Sequence, residues 1–301
     1  MEPCPGPLPE PKRPDIPTPG GACDTHCHVF GPADRFPYAD GRPYTPPDAP
    51  LEAYLAMLRR LGLSRGVIVQ GAAHGADNSA MLDALSRAPE ILRGVAVLRE
   101  DVPDAELRRM DRLGVRALRV NQRFNDGRKH LLAGMGFDAF ERTAGRFADL
   151  GWHLQLWIDA RDLPEFGPRL RRLPVEVVID HMGYPRQGVG EPGFRALLRL
   201  LGDGGCWVKL SGAYRISDDW PDYADAEVYH RALVGTNPDR LLWGTDWPHP
   251  RVVGRMPDTG RLLDLFNAWT PDPEIRRRIL VHNPARLYGF PAWAEERHDP
   301  A

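Results

Sequence analysis

No excess of charge, no long apolar run and very little cysteine characterise this sequence. Its 39 Lys and Arg against 41 Asp and Glu leave a formal net charge of −2, so the basic footprint of a nucleic-acid or anionic-membrane binder is absent. No apolar stretch approaches the roughly 18 residues that a membrane span needs. The opening MEPCPGPLPEPKRPDIPTPGG has neither the basic start nor the apolar stretch of a signal peptide. The four cysteines, Cys4, Cys23, Cys27 and Cys206, form no C-x-x-C pair, and three lie in apolar, strand-like segments where a free thiol acts as a small hydrophobe. A cytoplasmic home is the simplest reading. Internal repeats beyond the βα alternation described below, and low-complexity segments, are missing too.

What is present is an ordinary globular composition, 42% hydrophobic and 27% charged. Residues 1–21 hold eight prolines and read as an extended arm, either a loose tail or a strap along the barrel floor or a neighbouring subunit of a homo-oligomer. From residue 22 to 301 a single domain is expected. Eight short apolar runs, at 22–29, 65–71, 92–98, 115–121, 152–158, 175–183, 206–212 and 240–247, alternate with amphipathic stretches such as 51–62, 78–90, 104–114 and 136–151. Gly62, Gly114 and Gly151 sit where C-terminal helix caps belong. Near-continuous apolar strands separated by helices predict a parallel sheet covered on both faces, and eight such units in one domain predict a (β/α)8 barrel with a C-terminal helix. A doubly wound sheet is disfavoured, because no G-x-G-x-x-G follows the first strand. The loop 30–50, rich in Pro, Asp, Tyr and Gly, exceeds a mere connector and is read as a lid.

The run ACDTHCHVF (22–30) holds two histidines one residue apart. On a strand both point to one face while Cys27 points to the other, and two buried imidazoles need polar partners. Alone the pair is a weak signal. In a (β/α)8 barrel, however, catalytic side chains come from the C-terminal ends of strands. Polar residues end nearly every run: His26 and His28, Gln70 followed by His74, Arg119 and Asn121, Asp180 and His181, Lys209 and Ser211 with Arg215 beyond, and Asp246 followed by His249. For any one of them the simpler role is a hydrogen-bonded strand end. Their convergence on one rim favours a site for His26, His28, His181 and Asp246.

DTHCH on the first run, VIDHMG on the sixth and WGTDWPHP on the eighth resemble the amidohydrolase superfamily. The likeness is greatest to its lactonase branch, that of 2-pyrone-4,6-dicarboxylate hydrolase. It extends through HVFGP-x-x-RFPY, Tyr44 to Ala49, VIVQ, HGADN and NPARLY, covering about residues 22–290. The resemblance implies a distorted (β/α)8 barrel and water attack on an activated ester or amide carbonyl. It makes His26, His28, His181 and Asp246 catalytic, with Asp246 activating the water. It implies one divalent ion, zinc by donor type, on His26, His28 and Asp246, or no ion and histidines that polarise the carbonyl directly. A two-metal centre is not expected, since Arg119 or Asn121, and Gln155 or Trp157, stand where two-metal members carry Lys or Glu and His.

The same resemblance implies that Arg119 and Arg215 contact substrate, with Tyr44, His74, Trp157 and Tyr184 around it. Tyr184 and a position near Asn125 stand where the lactonase has arginines, Trp157 where it has tyrosine, and Gly71 or Ala72 where it has serine. A pocket with fewer cations and more aromatic surface is therefore expected, for a small lactone or ester with one carboxylate or none. Two other functions stay open: metal-dependent decarboxylation of an aromatic or unsaturated acid, and a barrel without catalysis. Asp77 and Asn78 are read as a helix cap, His249 as shaping its loop, and RRRIL (276–280) as a solvated helix face.

Overall fold

Each of the eight apolar runs contains a strand, and the eight pair in parallel in chain order. The computed structural model describes residues 4–125, 128–129, 134–252 and 254–293. The strands are β1 (Cys23–Cys27), β2 (Arg65–Val69), β3 (Leu92–Ala96), β4 (Val115–Asn121), β5 (His153–Trp157), β6 (Val177–Ile179), β7 (Trp207–Leu210) and β8 (Leu241–Trp243). A two-residue antiparallel ribbon, Phe124–Asn125 with Arg128–Lys129, follows β4. The helices are α1 (Leu51–Leu61), α2 (Ser79–Arg87), α3 (Asp104–Arg112), α4 (Phe137–Ala148), α5 (Leu163–Leu170), α6 (Pro192–Gly202), α7 (Ala213–Ile216), α8 (Glu227–Thr236), α9 (Thr259–Trp269), α10 (Pro273–Arg277) and α11 (Asn283–Tyr288). None of the described helices is long and apolar enough to cross a membrane. Helix α1 illustrates the local logic. Leu51, Tyr54, Leu58 and Leu61 bury one stripe, and Gly62 ends the helix at φ 72°, a left-handed turn that favours glycine.

Two apolar layers result. Val67, Val69, Val95, Ala117, Val178 and Leu242 fill the lower barrel interior with Trp207 and Tyr288, while a larger layer fills the space between strands and helices. The interior above the lower layer is polar: Arg119, Gln155, Asp180 and Lys209 are all buried there. Strand β1 serves both levels by means of a bulge. Asp24 pairs with Gly66 and Cys27 with Ile68, so three steps along β1 match two along β2. The extra residue flips the alternation: Cys23 joins the lower interior, Cys27 joins the helix layer, and His26 and His28 share the inner face.

Closure between β1 and β8 relies on side chains. Thr25 Oγ1 donates to Trp243 O at 2.8 Å, and Asp24 accepts from the Thr245 amide at 2.8 Å and its hydroxyl at 2.7 Å. Burial raises the Asp24 carboxyl to about 6, against the hydrogen bonds from Thr245 and His26 that favour its ionised form. The strands approach so closely at Gly244 that a Cβ there would lie 2.7 Å from both the Cβ and the amide of His26. Only glycine fits without displacing His26.

The arm is a strap. Residues 4–19 contain no helix or strand, yet they are anchored repeatedly. The Lys12 amide meets the Asp258 carboxylate at 3.0 Å, Lys12 Nζ meets Asp264 at 2.5 Å, Thr18 Oγ1 donates to Leu61 O, and the Cys4 amide donates to Thr45 O in the lid. All four cysteines are free thiols.

Candidate active site

The bulge, the β6 end and the β8 end bring His26, His28, His181 and Asp246 to one point. His26 Nε2 lies 3.8 Å and His28 Nε2 3.4 Å from Asp246 Oδ1, and His181 Nε2 lies 3.9 Å from Asp246 Oδ2. Ligand atoms of His26, His181 and Asp246 all fall within 4.8 Å of one another. His181 and Asp246 hold left-handed backbone, φ 49° and 59°. For residues other than glycine such strain runs to about 1–3 kcal/mol each, and it concentrates at functional sites.

Each imidazole is held from behind. His28 Nδ1 lies 2.8 Å from Val69 O; a carbonyl only accepts, so Nδ1 carries the proton and Nε2 a bare lone pair. His26 Nδ1 faces Asp180 Oδ1 at 3.3 Å, and His181 Nδ1 lies 2.9 Å from Ser211 Oγ. Burial keeps all three rings neutral: His26 is held well below its ordinary value, His28 lowered, and His181 lowered to about 3. His26 Nε2 and Asp246 Oδ1 are buried without a hydrogen-bond partner among the described residues.

Asp246 itself is asymmetric. Its Oδ2 accepts from Tyr214 OH at 2.7 Å and from Arg215 Nε, whereas Oδ1 faces the histidines. Burial opposes the charge, but the adjacent Arg215 guanidinium holds the carboxyl well below its usual range. Beneath His26, Asp180 accepts from Arg119 Nη2 and Gln155 Nε2, each at 3.2 Å, and Lys209 Nζ lies 3.9 Å away. Lys209 also donates to Thr25 O and Gln155 Oε1, each at 2.7 Å, and burial lowers its ammonium to about 8.

The substrate-facing residues divide. Tyr44, Arg119, Trp157, Tyr184 and Arg215 line a small cavity of about 40 Å³ with Asp246 in its wall. His74 does not line it. It stacks near Phe30 and Tyr38, its Nδ1 lies 3.1 Å from Pro37 O, and it pins the lid instead. Arg215 is tied to Asp246 and to Pro250 O, and Arg119 to Asp180 and Gln70 O, so neither is a cation waiting solely for substrate. A cleft of about 500 Å³ adjoins the cavity, sharing Trp157, Tyr184 and Arg215, and Arg123, Arg186, Arg251 and Arg255 line it. The side chain of Asn125 lies outside the described ones. Asp77 caps α2 by accepting from the Ser79 amide, whereas Asn78 bonds the backbone of Val97 just beyond the end of β3. His249 bonds Thr259 and Tyr214, which fixes the loop after β8.

Sequence reasoning did not assign Asp180, Gln155, Lys209, Tyr214 or Arg123 to the site. Lys209 carried a signal, a lone ammonium inside the apolar run CWVKL. Tyr214 and Arg123 had none beyond adjacency to strand ends.

Comparison with known proteins agrees with this geometry. A family described as amidohydrolase matches residues 23–290. A 2-pyrone-4,6-dicarboxylate hydrolase of Comamonas testosteroni is 40% identical over 297 residues, 95% of this chain and 94% of that one. A 4-sulfomuconolactone hydrolase of Rhizobium radiobacter is 40% identical over 293 residues, covering 96% and 97%. Among solved structures, a Pseudomonas putida protein described as a candidate 2-pyrone-4,6-dicarboxylic acid hydrolase superposes with a TM-score of 0.78 at 37% identity, covering 91% of this chain and 99% of that one. With its eight parallel strands and HxH, His and Asp at their ends, this chain belongs to the amidohydrolase family.

Proposed function

We propose that this protein opens a lactone or related cyclic ester by attack of water on the ring carbonyl. Asp246 is the base, and one divalent ion is held by His26, His181 and Asp246 with His28 beside them. One observation carries the reading: the Nε2 atoms of His26, His28 and His181 and the carboxylate of Asp246 face one another in a buried space. Acceptors crowded together need a cation, and rings anchored through Nδ1 are the usual support of metal-binding histidines. For His28, a purely hydrogen-bonding role towards a carbonyl would require N–H at Nε2, and its tautomer denies it. Neutral imidazoles with one carboxylate suit zinc. A second ion has no place, because Arg119 and Lys209 supply the positive charge below.

Such an ion, when bound, lowers the pKa of a coordinated water towards ~7 and polarises a carbonyl. The protein's own part is positional. Tyr214 and Arg215 fix Asp246 Oδ2, which leaves Oδ1 to take the water proton. The new bond joins the water oxygen to the carbonyl carbon, and the ring C–O bond breaks. Asp246 then returns the proton to the departing oxygen, giving a hydroxy acid. The relatives named above act on a pyrone dicarboxylate and a sulfomuconolactone, which supports a cyclic ester bearing acid groups as substrate. The free thiols fit a reducing compartment.

Asp246→Asn should lower kcat at least ~100-fold with the fold intact, and elemental analysis of the purified protein should find about one equivalent of zinc. A lactone panel followed by acid release, with carbon dioxide measured in parallel, separates hydrolysis from decarboxylation. Gas release without ring opening would reject the reading.

A further inference from the structure

The Pro-rich arm joins two parts of the molecule, helix α9 and the lid. At one end it is fixed to α9. The Lys12 amide meets both Asp258 oxygens at 3.0 Å, while Asp258 caps α9 by accepting from the Gly260 and Arg261 amides. The Asp15 amide donates to Asp264 on α9 at 2.7 Å, and Arg60 Nε on α1 donates to Pro11 O. The fit has no slack, since a Cβ on Gly260 would lie 1.8 Å from Lys12 O. At the other end the Cys4 amide donates to Thr45 O in the lid at 2.7 Å, and a Cβ on Gly6 would touch the Pro47 ring at 4.0 Å. The stretch between the two ends, CPGPLPEPK at 4–12, has proline at every second position. Proline fixes φ and favours an extended, semi-rigid chain, so anchoring Lys12 also places Cys4. Cys4 stands between Pro3 and Pro5, which lack an N–H, and is the residue there with an amide to give.

The lid needs such a hold in its second half. Its base is closed by Phe30 and Ala49, which exchange amide hydrogen bonds. Its first half is tied to the barrel by Arg35 to Asp83, Pro37 O to His74 and Ala39 to Ala73. For residues 43–47, among the described residues, the bond from Cys4 is the one hydrogen bond to anything outside the lid. That segment carries Tyr44, which is buried and shares the wall of the small cavity with Asp246 and Arg119. We propose that the arm is a latch for the active site: Cys4, placed by the Lys12 anchor, holds residues 43–47 and so keeps Tyr44 in the cavity. Cys4 and Thr45 are positioning residues that act through Tyr44. The latch is independent of the chemistry at Asp246, although its effect on catalysis rests on the lactone-opening reading. A lid without it visits open states that bind substrate poorly. The competent fraction falls and KM rises in proportion, while the closed complex stays as reactive as before.

Three variants test this. Cys4→Pro removes the amide hydrogen and keeps an extended backbone, Cys4→Ala keeps the amide, and deletion of residues 2–9 removes the latch but leaves the Lys12 anchor. Hydrogen–deuterium exchange in lid peptides spanning 40–49 should quicken at least ~3-fold in Cys4→Pro and in the deletion, the scale of one neutral hydrogen bond. It should keep the wild-type rate in Cys4→Ala. Peptides from α9 should be unchanged in Cys4→Pro, which separates an open latch from general loosening. On any lactone that is hydrolysed, Cys4→Pro should raise KM ~3–10-fold with kcat within ~2-fold of wild type. In a Tyr44→Ala background the same substitution should change KM less than ~2-fold, because the group that the latch positions is gone. Lid exchange at the wild-type rate in both Cys4→Pro and the deletion overturns the latch, and so does a KM effect of equal size with and without Tyr44. Faster lid exchange in a protein that opens no lactone keeps the latch and rejects the hydrolase instead.

Discussion

Replacing Asp180 by asparagine removes a buried negative charge beneath His26 without changing its shape. Asp180 is fully buried, as is Lys209, and Arg119 is 6% exposed. With the charge gone, Lys209 keeps only neutral partners, Thr25 O and Gln155 Oε1. At an effective dielectric of 20, a charge 3.9 Å away is worth about 4 kcal/mol. Measured losses on breaking a buried charge pair run to ~3–5 kcal/mol. With an unfolding entropy near ~2.1 cal/mol/K per residue, a chain of 301 residues should lose roughly 5–8 °C in Tm. Lys209→Met in the same background removes the uncompensated cation. The double variant should then be more stable than the sum of the single effects predicts, by at least ~1 kcal/mol. Asp180→Asn should also weaken zinc binding about 10–100-fold by loosening His26. Scanning calorimetry and chelator competition provide the readouts. An Asp180→Asn protein melting within ~1 °C of wild type, with strictly additive double-variant behaviour, would show that the buried cluster is not electrostatically coupled as described.

Gly244→Ala should cost about 1–3 kcal/mol through overpacking against His26, and zinc content measured after dialysis should fall with it. Unchanged stability and content would mean that β1 has room the structure does not show. His230, buried between Phe266 and Trp269 and paired with Thr270, is pushed down by burial to about 3. Its folded value lies below the unfolded value of ~6.5, so the unfolded chain takes up the proton first and stability falls as pH drops from about 6.5 towards 3. The slope approaches ~1.4 kcal/mol per pH unit. His230→Gln should flatten that slope in Tm against pH, and an unaltered slope would assign the acid sensitivity elsewhere. Arg215→Met should lower kcat as well as raise KM, since Arg215 bonds the carboxylate proposed as the base, and a change in KM alone would contradict that role.

The sequence by itself determined the barrel, because strand runs separated by one-sided helical stripes leave few ways to bury both. Helix α9 was illegible for a local reason: Leu262, Asp264, Phe266 and Asn267 are all buried, because the arm covers its outer face, so no polar stripe marks it. The clustered four, His26, His28, His181 and Asp246, were legible as polar residues ending apolar strands. Which nitrogen of His28 is bare was not, since Val69 O comes from another strand. Nor did the pattern CDTHCH reveal its bulge; strict alternation from Cys23 inward would turn His26 and His28 to the helix layer. The cations were partly illegible for the same kind of reason. Arg119 and Arg215 end strands and drew notice, but tertiary contacts commit both to carboxylates, while the arginines of the adjoining cleft, Arg123, Arg186, Arg251 and Arg255, come from loops with no sequence signal. Strand and helix periods are local and survive in a string of letters. Tautomers, bulges and the pairing of charges depend on which residues meet across the barrel, and only closure of the sheet decides that.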